Sequence, residues 1–477
     1  MLDFLDSAST PADDAAPFAA DAGANLWTGI ERALDNGASV LFVTDADGIM
    51  LGQVSLGRMR SAIASGAHLQ DLRLGELVEP VAEVGVTPVV DHAGRLVGVR
   101  RRPELRGLPV AEPDLSHAEL RGVLDAFLST WISSTGDYIR SFEQRFAERC
   151  SMAHGVATSN GTVSLHLAMA ALGIGKGDEV LVPDLTFAAC ANTVMHLGAR
   201  PVLVDIDPDT WCLSVEAMER LVTPRTRAIM VVHLFGRPAP MTEIRAFADA
   251  RGLYIIEDCA EAHGARYDGQ PVGSFSDIAS FSFFANKIIT TGEGGICLTN
   301  NPDLAARMRM LRDHGMRPDR KYWFEDAGFN YRMTNLQAAI GCAQLDRMDD
   351  FLAQRDAVQA RYEAALGDIP GLRFMPPMSA RSQPVVWFSS VLVPAAKRAE
   401  LIEAARCRGI DLRPFVNSLS SMPAYRRFAR RCPVSADVSA TGLHLPTSRR
   451  VDDRIAGILA EIFRSVLAPG VPRPKAG

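Results

Sequence analysis

Short apolar runs recur along this 477-residue chain, at 180–182, 201–204, 228–232, 253–256 and 278–284, with stretches of helical periodicity such as 243–250 between them. Runs that are apolar at nearly every position suit strands buried on both faces. Their alternation with helices predicts an α/β fold whose mainly parallel sheet is covered by helices on both sides. Upstream, 154–158 reads as another short strand, followed by Ser159-Asn-Gly-Thr and an apolar-periodic helix over 163–172 that Gly173 closes. Downstream, 335–366 reads as one long helix leading to a smaller α/β lobe over 365–467, and the Pro-rich 468–477 reads as a loose tail.

One cation interrupts the last apolar run. Lys287 follows Phe281, Phe283 and Phe284 and precedes Ile288, Ile289 and a Gly-rich turn. A solvated lysine at a strand edge is the commoner meaning of such a position. Burial, however, disfavours the charged form of an amine and makes it a better nucleophile, able to form a Schiff base. Asp258 ends the run 253–256 by two residues and stands where a parallel strand delivers a carboxylate to the ligand-binding edge of an open sheet. A lysine and a carboxylate are what a pyridoxal phosphate enzyme needs, because the carboxylate keeps the pyridine nitrogen protonated and the ring then accepts electrons. Ser159-Asn-Gly-Thr supplies the third element: a turn of small residues opening a helix presents free N–H groups and a positive dipole end to a phosphate. Read one at a time, these are a strand-edge lysine, a strand-end cap and a helix cap.

Their order along the chain carries a resemblance. Ser159-Asn-Gly-Thr, Gly177-Asp-Glu-Val-Leu-Val-Pro-Asp-Leu-Thr-Phe, Val202-Leu-Val-Asp-Ile-Asp-Pro, Val232-His-Leu-Phe-Gly, Ile256-Glu-Asp-Cys-Ala-Glu-Ala-His-Gly, the run 281–295 and Gly328-Phe-Asn-Tyr-Arg-Met-Thr-Asn-Leu-Gln-Ala-Ala resemble the DegT/DnrJ/EryC1/StrS sugar aminotransferases over about 108–467. Trp131-Ile-Ser-Ser-Thr-Gly-Asp-Tyr-Ile and Lys321-Tyr-Trp-Phe resemble the perosamine synthase branch, which aminates GDP-4-keto-6-deoxymannose. The resemblance implies a fold-type I transferase using pyridoxal 5'-phosphate, with L-glutamate as amino donor and a nucleotide-linked keto sugar as acceptor.

It also implies roles. Lys287 would bond the cofactor and move the proton, and Asp258 would pair with the pyridine nitrogen. Phe187 would lie against the ring, although ordinary core packing explains its spacing equally well. Glu261 would sit near the phenolic oxygen. Gly161, Thr162 and Ser282 would hold the phosphate, joined by Asn330 from the neighbouring subunit, so the site would be shared by a homodimer. Arg332 and Arg413 are candidates for the donor carboxylate or the nucleotide diphosphate. One departure bears on the substrate: where many members carry Leu-His-x-x-Pro, this chain reads Leu419-Ser-Ser-Met-Pro. Relatives with His in place of the lysine are dehydratases, and the intact Lys287 favours transamination over that alternative.

Composition narrows the rest. A net charge of -6 leaves no basic footprint for nucleic acid, and no apolar stretch approaches membrane-spanning length. The acidic N-terminus lacks the basic region of a secretory signal, and the eight cysteines show no ligand spacing, so a cytoplasmic protein without a metal is expected.

The first hundred residues lie outside the catalytic resemblance and contain a repeat. Val43-Thr-Asp-Ala-Asp-Gly-Ile-Met-Leu-Gly recurs as Val89-Val-Asp-His-Ala-Gly-Arg-Leu-Val-Gly, so that Asp45, Gly48 and Gly52 map onto Asp91, Gly94 and Gly98 at an offset of 46. With helix-like 26–36 and 56–65, residues 21–106 resemble a pair of CBS modules, the second cut short at Arg100-Arg-Arg-Pro. Such pairs bind adenine nucleotides, which implies a regulatory ligand; a docking module without ligand is the alternative, as is a non-catalytic regulator built on a transaminase fold. Residues 1–20, rich in Ala, Asp and Ser, read as disordered, and 107–364 as the cofactor-binding domain.

Overall fold

The computed structural model describes residues 3–4, 15–35, 40–65, 70–81, 86–91, 93–101 and 107–467. Two compact units emerge, one of Met1–Arg106 with Asp114–Arg121 and one of Gly107–Pro113 with Gly122–Gly477. The proposed tail at 468–477 and the point beyond residue 101 where the second repeat copy was expected to be cut short lie outside the described residues.

The larger unit is built on a seven-stranded sheet. Its strands are β1 (His154–Thr158), β2 (Glu179–Pro183), β3 (Arg200–Val204), β4 (Thr226–Val232), β5 (Tyr254–Asp258), β6 (Ile278–Ser282) and β7 (Gly295–Thr299). They lie in the order β1-β7-β6-β5-β4-β2-β3. Neighbours from β6 through β3 are parallel, while β7 is antiparallel to both β6 and β1. Alternation of side chains across each strand sends successive residues to opposite cores. Val180, Val182, Ala228, Met230 and Ile256 join one cluster, and Leu181, Ile229, Val231 and Ile255 the other. This two-sided burial is why the strands are apolar throughout.

Aromatic packing anchors the strand that leads to Lys287. Phe146 meets Phe281 edge-on at 4.9 Å and Phe283 at 5.1 Å, and Phe142 meets Phe283 at 5.0 Å. Such T-shaped pairs add about 0.5–1.5 kcal/mol each beyond area burial. They hold the end of β6 in place.

The long helix expected over 335–366 is two helices, α2 (Asn335–Asp346) and α3 (Met348–Leu366), far downstream of helix α1 (Gly161–Ala171). Arg347 breaks it at φ -102° and ψ 4°, and the second helix starts with Asp349 and Asp350 in its first turn. Apolar periodicity continues through such a break, so sequence pattern alone does not reveal it. The smaller lobe carries a four-stranded antiparallel sheet with strands Arg373–Phe374, Ser389–Leu392, Gly442–Leu445 and Arg413–Pro414 in that order. The entering chain also belongs to this lobe: Leu108 N donates to Gly409 O at 2.7 Å, and Asp411 N to Leu108 O at 2.8 Å.

In the smaller unit the sequence repeat is a structural one. Two antiparallel hairpins, Val40–Thr44 with Met50–Ser55 and Val86–Val90 with Leu96–Arg101, have a register shift at the equivalent steps Val43/Thr44 and Val89/Val90. Asp45 Oδ1 accepts from Asp47 N at 3.0 Å and Ile49 N at 2.9 Å; Asp91 Oδ1 accepts from Ala93 N at 2.9 Å and Arg95 N at 3.0 Å. Gly48 and Gly94 follow with φ of 78° and 82°, which glycine adopts without strain. The turns then clasp each other, Met50 N to Gly94 O at 3.0 Å and Leu96 N to Gly48 O at 3.2 Å, giving an approximate two-fold. Of the stretch 1–20 expected to be disordered, the described residues are 3–4 and 15–20: Asp3–Phe4 pairs with Val89–Val90, Ala19–Asp21 pairs with the first hairpin, and Phe18 and Ala20 are buried.

Candidate active site

The carboxyl ends of the parallel strands converge at one edge of the sheet, the edge where open α/β sheets take ligands. Asp258 closes β5 and Ser282 closes β6, and Ser159 leaves β1 toward α1. Asp258 is buried, 7% exposed, and its carboxylate is fixed on both oxygens: Ala260 N donates to Oδ1 at 3.0 Å and Cys190 Sγ to Oδ2 at 3.2 Å. Cys190 in turn contacts Thr186 Oγ1 at 3.2 Å, which links Asp258 to the turn that carries Phe187. Phe187 is 62% exposed. An apolar ring held open beside a fixed carboxylate is a surface that a planar cofactor covers.

Lys287 lies five residues beyond β6, after a turn closed by its own N–H on Phe284 O at 2.9 Å. Its side chain is 12% exposed, and Nζ stands 3.6 Å from Glu261 Oε1 and 4.4 Å from the centroid of Trp387. Glu261 Oε2 accepts from Phe235 N at 2.9 Å. Burial pushes the Glu261 carboxyl up and Asp258 adds to this, while the Lys287 ammonium pulls it down without cancelling the rise. An acid with raised proton affinity thus faces the amine directly.

The opening of α1 fits a phosphate. Asn160 caps the helix by accepting from Val163 N at 3.0 Å, which leaves the N–H groups of Gly161 and Thr162 without intrahelical partners. Space is kept by the absence of a side chain at Gly161, where a Cβ would come within 2.6 Å of Ser282 Cβ. The residues present therefore fit pyridoxal phosphate: a cradle at Gly161, Thr162 and Ser282, a fixed carboxylate at Asp258, an open aromatic at Phe187 and an amine at Lys287. Gly161→Ala is expected to weaken cofactor affinity about ten-fold and to cost about 1–3 kcal/mol of stability by overpacking against Ser282; titration of the cofactor and thermal melting measure the two effects.

The remaining candidates are tied within the chain. Asn330 is exposed and its Oδ1 accepts from Arg332 Nε at 3.1 Å. Arg332 Nη1 also donates to Asp313 Oδ1 at 2.7 Å, and Arg413 Nε to Asp411 Oδ2 at 3.0 Å, so each guanidinium already has a carboxylate. The departure at Ser420 has a local partner: its N–H and Oγ both donate to the buried Asp184, at 2.7 and 2.8 Å. This bond joins the smaller lobe to the Phe187 turn.

Three donors of one buried cluster, His233, Glu257 and Cys259, lie within 4.8 Å of one another. The polar side-chain atoms of His233 and Glu257 are taken up by the protein. His233 Nε2 bonds Glu257 Oε1 at 2.9 Å, His233 Nδ1 accepts from Ala239 N at 3.0 Å, and Glu257 also accepts from Gly273 N at 2.8 Å and Phe275 N at 3.1 Å. Burial raises Glu257, but its hydrogen bonds with His233 and the Gly273 N–H outweigh it and hold the carboxyl low. The cluster pins the ends of β4 and β5 together. Trp387 and Cys190 were not found from sequence: the indole comes from a segment a hundred residues beyond Lys287, and neither residue stands in a motif that signals its contact.

Among the described residues no helix is long and apolar enough to cross a membrane. The model of the DegT/DnrJ/EryC1/StrS aminotransferase family matches residues 113–462. The GDP-perosamine synthase of Caulobacter vibrioides is 47% identical over 368 residues, covering 76% of this chain and 99% of that enzyme. The GDP-perosamine synthase of Escherichia coli O157:H7 is 42% identical over 72% of this chain and 94% of its own length. Among solved structures, the aminotransferase TlmJ of Streptoalloteichus hindustanus is 31% identical with a TM-score of 0.72, covering 76% of this chain and 99% of that one. The PLP form of the putative sugar aminotransferase Spr1654 of Streptococcus pneumoniae is 27% identical with a TM-score of 0.71, covering 76% and 98%. The chain belongs to the DegT/DnrJ/EryC1/StrS aminotransferase family and is an aminotransferase that works with pyridoxal phosphate.

Proposed function

We propose that this protein transfers the amino group of L-glutamate to the keto carbon of a nucleotide-linked sugar, with GDP-4-keto-6-deoxymannose as the acceptor. The observation that carries the reaction is the meeting of Lys287, Glu261 and Asp258 beside the Gly161–Ser282 cradle. The acceptor is supported by identity to two GDP-perosamine synthases over nearly their whole lengths.

When bound, pyridoxal phosphate supplies an electron-accepting ring. The residues of the chain do the rest. Asp258 keeps a fixed negative charge at the end of β5, where its two bonded oxygens prevent it from turning away. Lys287 takes and returns the proton at Nζ, with Glu261 at 3.6 Å as its acidic neighbour. The N–H groups of Gly161 and Thr162 and the hydroxyl of Ser282 anchor the phosphate.

The active unit is a homodimer in which Asn330 of one subunit completes the phosphate site of the other. Supporting this, the large apolar side chains of Trp131, Ile132, Tyr322, Trp323 and Phe324 are exposed, as residues of an interaction surface are before their partner covers them. The aminated sugar serves surface polysaccharide. The repeat unit takes an adenine nucleotide; calorimetry of the full chain with ATP and AMP tests this, and absence of heat removes the idea.

Incubating the holoenzyme with glutamate and GDP-, UDP- or dTDP-linked keto sugars, with product mass as readout, tests the main reading. Amination of the GDP sugar with all hydroxyls retained is expected. Loss of water instead would establish the dehydratase, and no reaction with any acceptor would refute the assignment.

A further inference from the structure

Lys287 rests on an aromatic floor whose fixation is unusually complete. The indole of Trp387 is buried, and its Nε1–H donates to Asn286 O at 2.9 Å, the carbonyl just before Lys287. The ring is thereby registered to the main chain of the lysine it supports. On its own side it stacks on Phe388 at 4.0 Å and 27°, and Phe235 lies nearly parallel at 6.1 Å and 16°. The carbonyl of Trp387 accepts from Arg355 Nη1 and from Thr447 Oγ1.

The same aromatic group sets Glu261. Phe235, whose ring neighbours the indole, donates its N–H to Glu261 from a left-handed conformation with φ 56°, which costs a non-glycine residue about 1 kcal/mol or more. Gly236 follows at φ 87°, and a Cβ there would meet Val385 O at 2.1 Å. Val385 N bonds Gly236 O at 3.0 Å. One strained turn thus couples the acid beside the amine to the segment bearing the indole beneath it.

We propose that Trp387 is a positioning residue for Lys287, its indole face holding the free amine beside Glu261 whenever the lysine is not bonded to the cofactor. A lysine side chain has four rotatable carbons and no fixed direction. Within about 6 Å of an indole centroid an ammonium is attracted to the ring face, and tryptophan attracts it best. That attraction is modest, so it aims the amine without trapping it. A carboxylate alone would bind the ammonium but leave its approach angle open.

The inference rests on the aminotransferase reading for the purpose of Lys287, but its test does not. In cofactor-free protein, Lys287 is labelled with an amine-acylating reagent and quantified by peptide mass spectrometry against Lys176, Lys321, Lys397 and Lys475. Losing the ring face releases the amine from its place beside Glu261, so Trp387→Leu should label Lys287 about three- to ten-fold faster, and Trp387→Phe should fall between Leu and wild type. An unchanged ratio in a folded variant overturns the proposal. If Trp387→Leu does not fold, Trp387→Phe decides by the same criteria. In the holoenzyme, Trp387→Phe should lower kcat about three-fold with KM unchanged for both substrates; a purely packing role leaves kcat alone.

Discussion

Lys287→Ala is expected to lower the proposed glutamate-dependent amination by at least ~10³-fold, because the amine is proposed both to bond the cofactor and to move the proton, and positioned acid–base catalysis alone is worth about 10²–10⁴. The fold should survive. Lys287 packs over Trp387 and beside Glu261, and its removal leaves a carboxyl that burial already inclines to protonate, so no unpaired buried charge has to remain. Product formation by mass spectrometry, the visible absorption band and thermal melting read these three consequences. A variant that melts like wild type yet retains more than a few per cent of turnover would remove Lys287 from the chemistry.

Asp258→Asn separates binding from catalysis. The amide is nearly the same size as the carboxylate and can keep the bond from Ala260 N, but it would carry no charge for the proposed pairing with the pyridine nitrogen. Turnover is expected to fall about 10²–10⁴-fold, within the range assigned to a single well-placed acid–base group. Cofactor binding should persist, because the cradle at Gly161, Thr162 and Ser282 is built on α1 and β6, whereas Asp258 belongs to β5. Equilibrium binding and kcat measured on the same preparation test the split. Equal losses in both would mean that Asp258 serves mainly to hold the cofactor.

Much of the fold was legible because local pattern and global burial agree. The strands over 180–182, 201–204, 228–232 and 253–256 were readable since both faces of a parallel sheet are dry, so every position is apolar. The break at Arg347 was not, because an apolar period runs across it without a Gly or Pro to mark it. At the site, Lys287 and Asp258 stood out as charges placed against apolar runs. Trp387 did not: an indole in a strand-like segment looks the same whether it faces a core or a catalytic amine. Cys190 was invisible for a related reason, since a buried thiol donating to a carboxylate leaves no trace in local pattern.

Sequence by itself determined the alternation of strand and helix, the two hairpin copies with their Asp and Gly turns, and which amine and carboxylate are the chemical candidates. These are properties of period, turn chemistry and charge, all carried within a few residues. Tertiary structure decided who stands next to whom: that Trp387 lies under Lys287, that Phe235 holds Glu261, that Ser420 answers the departure from the family motif by bonding Asp184, and that Arg332 and Arg413 are already paired with aspartates. Those contacts join segments far apart in the chain, and they are set by the packing of the smaller lobe and the turns against one edge of the sheet, a choice that no local window of residues contains.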